Sequence, residues 1–475
     1  MRIEGVTTEE RVSAFCDDAL GAADGVEIAH RVRARELHPA EVVEAAIARA
    51  ERVDPLLNAI AAPLFGAARR AAVREPVGDL GGVPTFIKDT EEVAGSSMMF
   101  GSRGMPRKVA TKSSVCAEQF LSAGLIALGK TTTSEFGLTG TTEALLYGRT
   151  HNPWRLGFSP GGSSGGSAAL VAAGVVPLAH GNDGGGSIRI PASCCGLVGL
   201  KPSRGRLADM AHAELFPVRI VHQGMLSRTV RDTAAYYRAV EQRYRNPKLP
   251  EIGLVSRPGR RLRIGFSTEI GEGAHAHPEC VAATHDAARL CESLGHRVEE
   301  TSPPFDDAFH QDFFLLWSML AFGITRLGRH LVDPDFDSSQ VEAFTEGLAR
   351  FFQSNALGAP AAIWRLRRFA RRYERRFEEF DVLMNPTVAM PPPEHGFLGP
   401  EVPFDTALER FKWFVPFTPV QNTSGGPAIS LPLGQSKQGL PIGVQLAAPM
   451  GDERTLLELA LELEAASPWP TLAEA

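Results

Sequence analysis

Apolar and polar positions along this chain follow two different periods, and the helical one comes first. In PAEVVEAAIARAERVDPLL (39–57), Val42, Val43, Ala45, Ala46, Ile47 and Ala50 make one stripe, with Pro39 where a first helical turn tolerates it. From about residue 82 the texture changes to short apolar runs, VPTFI at 83–87 and GLIALG at 124–129, separated by Gly- and Ser-rich turns and by a predicted helix over 111–123. The alternation resumes with a strand at 262–267, a helix over 278–294 ending at Gly295, and a strand at 297–300. Strands at 382–384, 428–433 and 443–447 and a helix at 453–465 complete it. Such alternation predicts an α/β chain. The apolar runs 168–179 and 313–324 fall short of the roughly 20 residues that span a membrane, so both are predicted to be core helices. Residues 305–360 are Phe-rich without a clean period. They are expected to be irregular and, with 411–424, to wall a pocket.

Over 363–380, Ile363, Leu366, Phe369, Tyr373, Phe377 and Phe380 recur at helical spacing among seven arginines. This is an amphipathic basic helix. A nucleic-acid or lipid surface is one reading; a solvated helix held by its aromatic stripe, with Glu374, Glu378 and Glu379 offsetting charge, is the other. Composition favours the second. The chain has 475 residues, 44% hydrophobic and 22% charged, with a net charge of -6, so neither a polyanion nor an anionic membrane is the expected partner. A small molecule is. The opening MRIEGVTTEERVSAFCDDALG is acidic without an apolar run, which reads as no leader and predicts a cytoplasmic protein. Cys16, Cys116, Cys194, Cys195, Cys280 and Cys291 lack C-x-x-C or His/Cys spacing, so no disulfide framework or zinc site is expected; separately, the chain is expected to use no metal or cofactor. Cys194 and Cys195 are expected to pack.

Three features carry candidate chemistry: Lys88 in GGVPTFIKDT, Ser163 and Ser164 in PGGSSGGS, and Ser187 in GNDGGGSIR. Each has a plainer reading alone. A Gly/Ser run is commonly a turn or linker, and Lys88 could be a strand-end lysine paired with Asp89. Against that, the segment between the two glycine loops is strongly apolar, and Gly184, Gly185 and Gly186 could aim backbone N–H groups at a developing oxyanion. A lysine buried beside Phe86 and Ile87 would lose its charge readily and become a base.

Together, Lys88, PGGSSGGSAA (160–169) and GNDGGGSIRIPA (181–192) resemble the amidase signature family. The intervals agree too: 75 residues from Lys88 to Ser163 and 24 more to Ser187. The resemblance extends to GLIALGKTTTSEFG, YGRTHNPW, NTSGGPAISLPLG and GLPIGVQLAAP, leaving about 205–375 largely uncovered. It implies a Ser–cisSer–Lys triad of Ser187 as nucleophile, Ser163 as bridging hydroxyl after a cis Gly162–Ser163 bond, and Lys88 as base. It further implies an oxyanion hole of the Gly184, Gly185, Gly186 and Ser187 amides, and support from Ser164. Asp183 and Arg189 are expected to lock the loop, and Thr132 and Thr133 to border the acyl pocket. Asn182 stands where the family commonly has Thr, Gly184 where a larger residue is frequent, and Thr132 where Asn is frequent. The loop is most similar to the branch with 6-aminohexanoate cyclic-dimer hydrolases. The implied fold is a mixed twisted sheet covered by helices on both faces. It forms one unit over 1–475: a helical segment 1–70, signature core 71–230, variable region 231–380 and closing strands and helix 381–475.

The implied reaction is hydrolysis of a linear carboxamide with a hydrophobic, aromatic or ω-amino acyl part; homodimerisation stays open. Two rivals need weighing. Gly161-Gly162-Ser163-Ser164-Gly165 satisfies G-x-S-x-G, which admits an esterase using Ser163 with His296, His310, His330 or His395, although RLGFSPGG before it is no apolar strand. A Ser187–His180 dyad is a variant of that idea. The other rival is a partner-dependent amidotransferase subunit acting on glutamine. A phosphate-binding loop is disfavoured, because neither glycine run is followed by Gly-Lys-Ser/Thr.

Overall fold

The computed structural model describes residues 10–474 apart from 212, 214, 215 and 272; the leader reading therefore falls partly outside the described residues. Two sheets set the frame. The smaller has the order Ile60–Pro63, Ile126–Thr131, Pro84–Lys88, its first pair antiparallel and its second parallel. The larger has eight strands, in the order Arg297–Glu300, Arg263–Phe266, Val382–Pro386, Pro441–Ala447, Ala428–Gln435, Val198–Lys201, His222–Ser227, Leu178–Asp183. It is parallel over its first three strands and antiparallel over the rest, hence mixed and open. Helices such as Arg189–Cys195 and Pro278–Ser293 pack against its central strands.

The two sheets meet at their edges. Thr85 Oγ1 donates to the Leu178 carbonyl at 3.0 Å, and four residues on, Asn182 meets Lys88. The edge strands Pro84–Lys88 and Leu178–Asp183 thus advance side by side, and every residue of both is buried. Lys88 and Asp183 finish them on the same side.

The helix over 39–57 forms as its stripe predicts, with a capping box between His38 and Glu41 at its start. Two expectations change. The run 168–179 is not one helix: Gly165–Ala172 is helical, Gly174 turns the chain at φ +85, and Leu178–Asp183 is already a strand. A buried apolar run has no period to separate the two. Residues 305–360 are regular, built of the 25-residue helix Asp307–Leu331 and the helix Ala343–Asn355. The first packs against both the second and Ala359–Glu374, so it is apolar on more than one face and its helical period is blurred.

The basic helix runs over Ala359–Glu374 and continues as a 3-10 turn, Arg375–Glu378. Leu366, Phe369 and Tyr373 are buried, and four of the seven arginines bond neighbouring elements: Arg365 with Asp312, Arg372 with Asp306, Arg367 with the Pro217 carbonyl, Arg376 with Thr301. They clamp the helix to its neighbours. Among the described residues no helix is long and apolar enough to cross a membrane.

Candidate active site

Lys88 ends the small sheet's edge strand with no solvent exposure, and its Nζ lies 2.7 Å from Ser163 Oγ and 2.6 Å from Asn182 Oδ1. Asn182 is fixed in turn by donating from Nδ2 to Thr90 Oγ1 at 2.8 Å. Burial drives the Lys88 pKa down to about 7, although the charges of Asp183 and Glu91 pull it up. A neutral amine has two N–H bonds and one lone pair. With Asn182 Oδ1 taking a hydrogen, the lone pair is free to receive the Ser163 proton. The Gly162–Ser163 peptide is cis, and the loop approaches its neighbours so closely that a Cβ on Gly162 would sit 2.6 Å from the Thr141 carbonyl oxygen.

Ser187 lies in the turn between Asp183 and the helix Arg189–Cys195. Asp183 organises that turn. Its carboxylate accepts from the N–H groups of Gly186 (2.7 Å) and Ile188 (3.1 Å), from Arg189 Nε and Nη2 (3.0 and 2.8 Å), and from Asn422 Nδ2 (2.9 Å). Burial raises its pKa, but the Arg189 charge and these donors outweigh it and hold the group at about 2. Arg189 also donates to Gln421, Gln445 and Asn422, so the buried cation has every edge occupied.

The Gly186 amide is committed to Asp183. Among the four amides read as an oxyanion hole, those of Gly184, Gly185 and Ser187 have no acceptor among the described residues. Gly186 is required for shape instead: its φ is +132, and a Cβ there would meet Thr418 Oγ1 at 2.3 Å and Ile190 Cδ1 at 2.7 Å. Gly186→Ala is expected to cost roughly 2–4 kcal/mol in strain and overpacking, read as a lower denaturation midpoint. Gly185→Ala, whose Cβ would find nothing nearer than 3.4 Å, is expected to stay within about 1 kcal/mol of the parent.

The remaining residues divide. Ser164 starts the helix Gly165–Ala172 and its Oγ reaches the Asn182 carbonyl at 3.4 Å. Thr132 is turned to Thr150 Oγ1 (2.7 Å) and the Ala59 carbonyl, while the Thr133 hydroxyl is buried without a partner among the described residues. The Ser187 hydroxyl is hydrogen-bonded to no described residue, Ser163 included. His180 bonds Gln223 and packs on Phe120, and burial with the nearby Lys88 charge lowers its pKa to about 3. His296 bonds Glu462, His310 the Pro416 carbonyl, and His395 His151. No described histidine bonds Ser163 or Ser187.

Sequence reasoning missed several contributors. Asn182 was noticed as a departure, not as the partner of Lys88. Thr418, Gln421 and Asn422 lie in the segment read as pocket wall, yet Thr418 Oγ1 donates to the Gly185 carbonyl and the other two hold Arg189. Phe313 and Trp317 stand over the glycines, with Trp317 Nε1 bonded to the Leu138 carbonyl; a Cβ on Gly184 would lie 3.2 Å from the indole ring. Only the density of aromatics in that stretch could have pointed to them. Cys194 and Cys195 are buried in the helix after Ser187, and burial raises both thiols.

Residues 41–457 match the family model described as Amidase. A Mycobacterium tuberculosis protein that carries the amidase name AmiC is 49% identical over 473 residues, covering 98% of this chain and 100% of its own. The 6-aminohexanoate-cyclic-dimer hydrolase of Paenarthrobacter ureafaciens is 37% identical over 94% of this chain and 95% of its own. A solved structure of 6-aminohexanoate cyclic dimer hydrolase superposes with a TM-score of 0.86 at 35% identity, covering 94% of this chain and 97% of that one.

Proposed function

Because this chain belongs to the amidase family, and is an amide hydrolase, we propose that it cleaves a linear carboxamide through an acyl-enzyme on Ser187, with Ser163 as relay and Lys88 as base. One observation carries the reading: a buried lysine amine, with a pKa near neutrality, is hydrogen-bonded to Ser163 at the seam where the Ser187 loop begins. Ser187 Oγ attacks the carbonyl carbon as its proton passes to Ser163, and the Ser163 proton passes to Lys88. The oxygen of the tetrahedral intermediate faces the Gly184, Gly185 and Ser187 amides. Its collapse breaks the C–N bond, the amine leaves with the proton returned through Ser163, and water then repeats the cycle on the ester.

Phe313 and Trp317 beside Gly185 and Gly184 support a hydrophobic or aromatic acyl part. The 6-aminohexanoate hydrolase among its relatives supports an ω-amino acyl chain as a further member of the class. The test is a panel of benzamide, 4-nitroacetanilide, a short peptide amide and 6-aminohexanoamide, presented to the purified chain alone. Turnover of at least one, with an acyl adduct visible by intact mass at early times, is expected. Turnover of glutamine alone, and only after an amidotransferase partner is added, would replace this reading with that of a partner-dependent subunit.

A further inference from the structure

Three buried carboxylates surround the catalytic lysine, and two of them are in ion pairs: Asp89 with Lys130, Asp183 with Arg189. The third, Glu91, is not. The chain turns back immediately after the strand Pro84–Lys88, with the Thr90 and Glu91 amides both donating to the Lys88 carbonyl (2.8 and 3.3 Å), so Glu91 lies one turn from the base. Its carboxylate is buried and held by Ser114 Oγ at 2.6 Å and Gln223 Nε2 at 2.8 Å; Gln223 Oε1 continues to His180 Nε2 at 3.1 Å. A carboxylate enclosed in this way, with no ion-pair contact among the described residues and no part in the proton relay, needs an explanation.

We infer that Glu91 is a positioning residue for the reaction, an isolated buried charge whose field fixes the pH at which Lys88 becomes a base. The inference rests on Lys88 being that base. The groups around the pair are few. On the same strand end is Asp89, paired to Lys130 of the neighbouring strand, and Lys130 also acts on Glu91. Cys116 faces Glu91 from the helix Val115–Leu121, with its thiol pushed up by burial, and His180, lowered by burial to about 3, is neutral throughout the neutral range. Asp183 acts on Lys88 but stays ionised far below neutrality. Burial brings both Lys88, to about 7, and Glu91, to about 6, into the neutral range. An ionised Glu91 favours the ammonium form of Lys88, so it delays appearance of the base until pH 7. In return it keeps a proton on hand for the leaving amine.

The test compares pH profiles of kcat/KM, from pH 5 to 10, for the parent, Glu91→Gln and Glu91→Asp, using benzamide or 4-nitroacetanilide, whichever is turned over. Glutamine can keep the contacts with Gln223 and Ser114 while removing the charge. Its ascending limb is expected to move acidward by on the order of half to one pH unit, with the plateau within about threefold of the parent. Aspartate, which keeps the charge, is expected to leave the limb near the parent's. If Glu91→Gln does not fold, Ser114→Ala carries the test: losing a donor to the carboxylate favours its protonated form and should move the limb acidward by a smaller amount. A limb that stays in place or moves to higher pH in the folded variants overturns the inference. If instead Lys88→Ala retains full turnover, it is the proposed base that fails, and the two failures are distinguishable.

Discussion

Replacing Ser187 with alanine is expected to lower amide turnover by on the order of 10⁴-fold or more while leaving the fold intact. The size follows from the role: without the nucleophilic oxygen no acyl-enzyme forms, and what remains is the catalysis supplied by binding and by the loop amides. The fold should hold because the Ser187 hydroxyl bonds no described residue, so its removal orphans nothing, and the loop is fixed by Asp183, Arg189 and Asn422. Unfolding free energy within about 0.5 kcal/mol of the parent, beside turnover at background, is the expected pair of readings. The acyl adduct should vanish from the intact mass in the same variant. Retained turnover would remove Ser187 from the mechanism and return attention to Ser163.

How much of this was legible in the sequence depends on the kind of pattern involved. The helix Pro39–Leu57 was readable from its helical stripe, and the strands Pro84–Lys88 and Pro441–Ala447 from short apolar runs bounded by turn residues. The helix Asp307–Leu331 was not, since burial against two other helices removes the polar face that makes a helix recognisable. At the site, Lys88 and Ser163 were found from motif and separation, and their 2.7 Å contact sets the end of the strand Pro84–Lys88 against the loop before the helix Gly165–Ala172, a meeting that no local pattern could have foretold. The uses of Asn182, Gln421 and Gln445 were hidden for a different reason. An amide side chain has no fixed partner until the fold supplies one, and here Lys88 and Arg189 do so across as many as 256 residues of chain. The motif likewise cannot say that the Gly186 amide belongs to Asp183, because an N–H group reads identically whether it faces a carboxylate or a substrate.

Lys88→Met should uncouple activity from stability in opposite directions. Turnover is expected to fall by roughly 10³-fold or more, since neither the proton of Ser163 nor that of the leaving amine has a carrier. Stability should move the other way at neutral and acid pH. The folded-state pKa of Lys88 is about 7, against 10.5 when exposed, so below pH 7 the lysine is protonated in both states but buried only in the native one, which bears the full desolvation penalty, on the order of 4–5 kcal/mol. Between pH 7 and 10.5 the unfolded chain binds a proton that the native protein does not, and native stability rises with pH until the penalty is gone. Methionine fills a similar volume without charge, at the cost of leaving Asn182 Oδ1 without its donor, about 1–3 kcal/mol. The variant is therefore expected to be more stable than the parent at pH 6 and less stable at pH 10, with a crossing between. Denaturant unfolding of both proteins at pH 6, 8 and 10 reads this, because titrating groups not coupled to Lys88 cancel in the difference, and Glu91, which is coupled and titrates at about 6, is ionised by pH 8. A parent-minus-variant stability that does not change with pH would mean that Lys88 keeps its ordinary proton affinity in the native state. The neutral amine, and with it the ascending limb near pH 7, would then have to be abandoned. If the crossing is found, the same desolvation that destabilises the native protein is what turns Lys88 into a base.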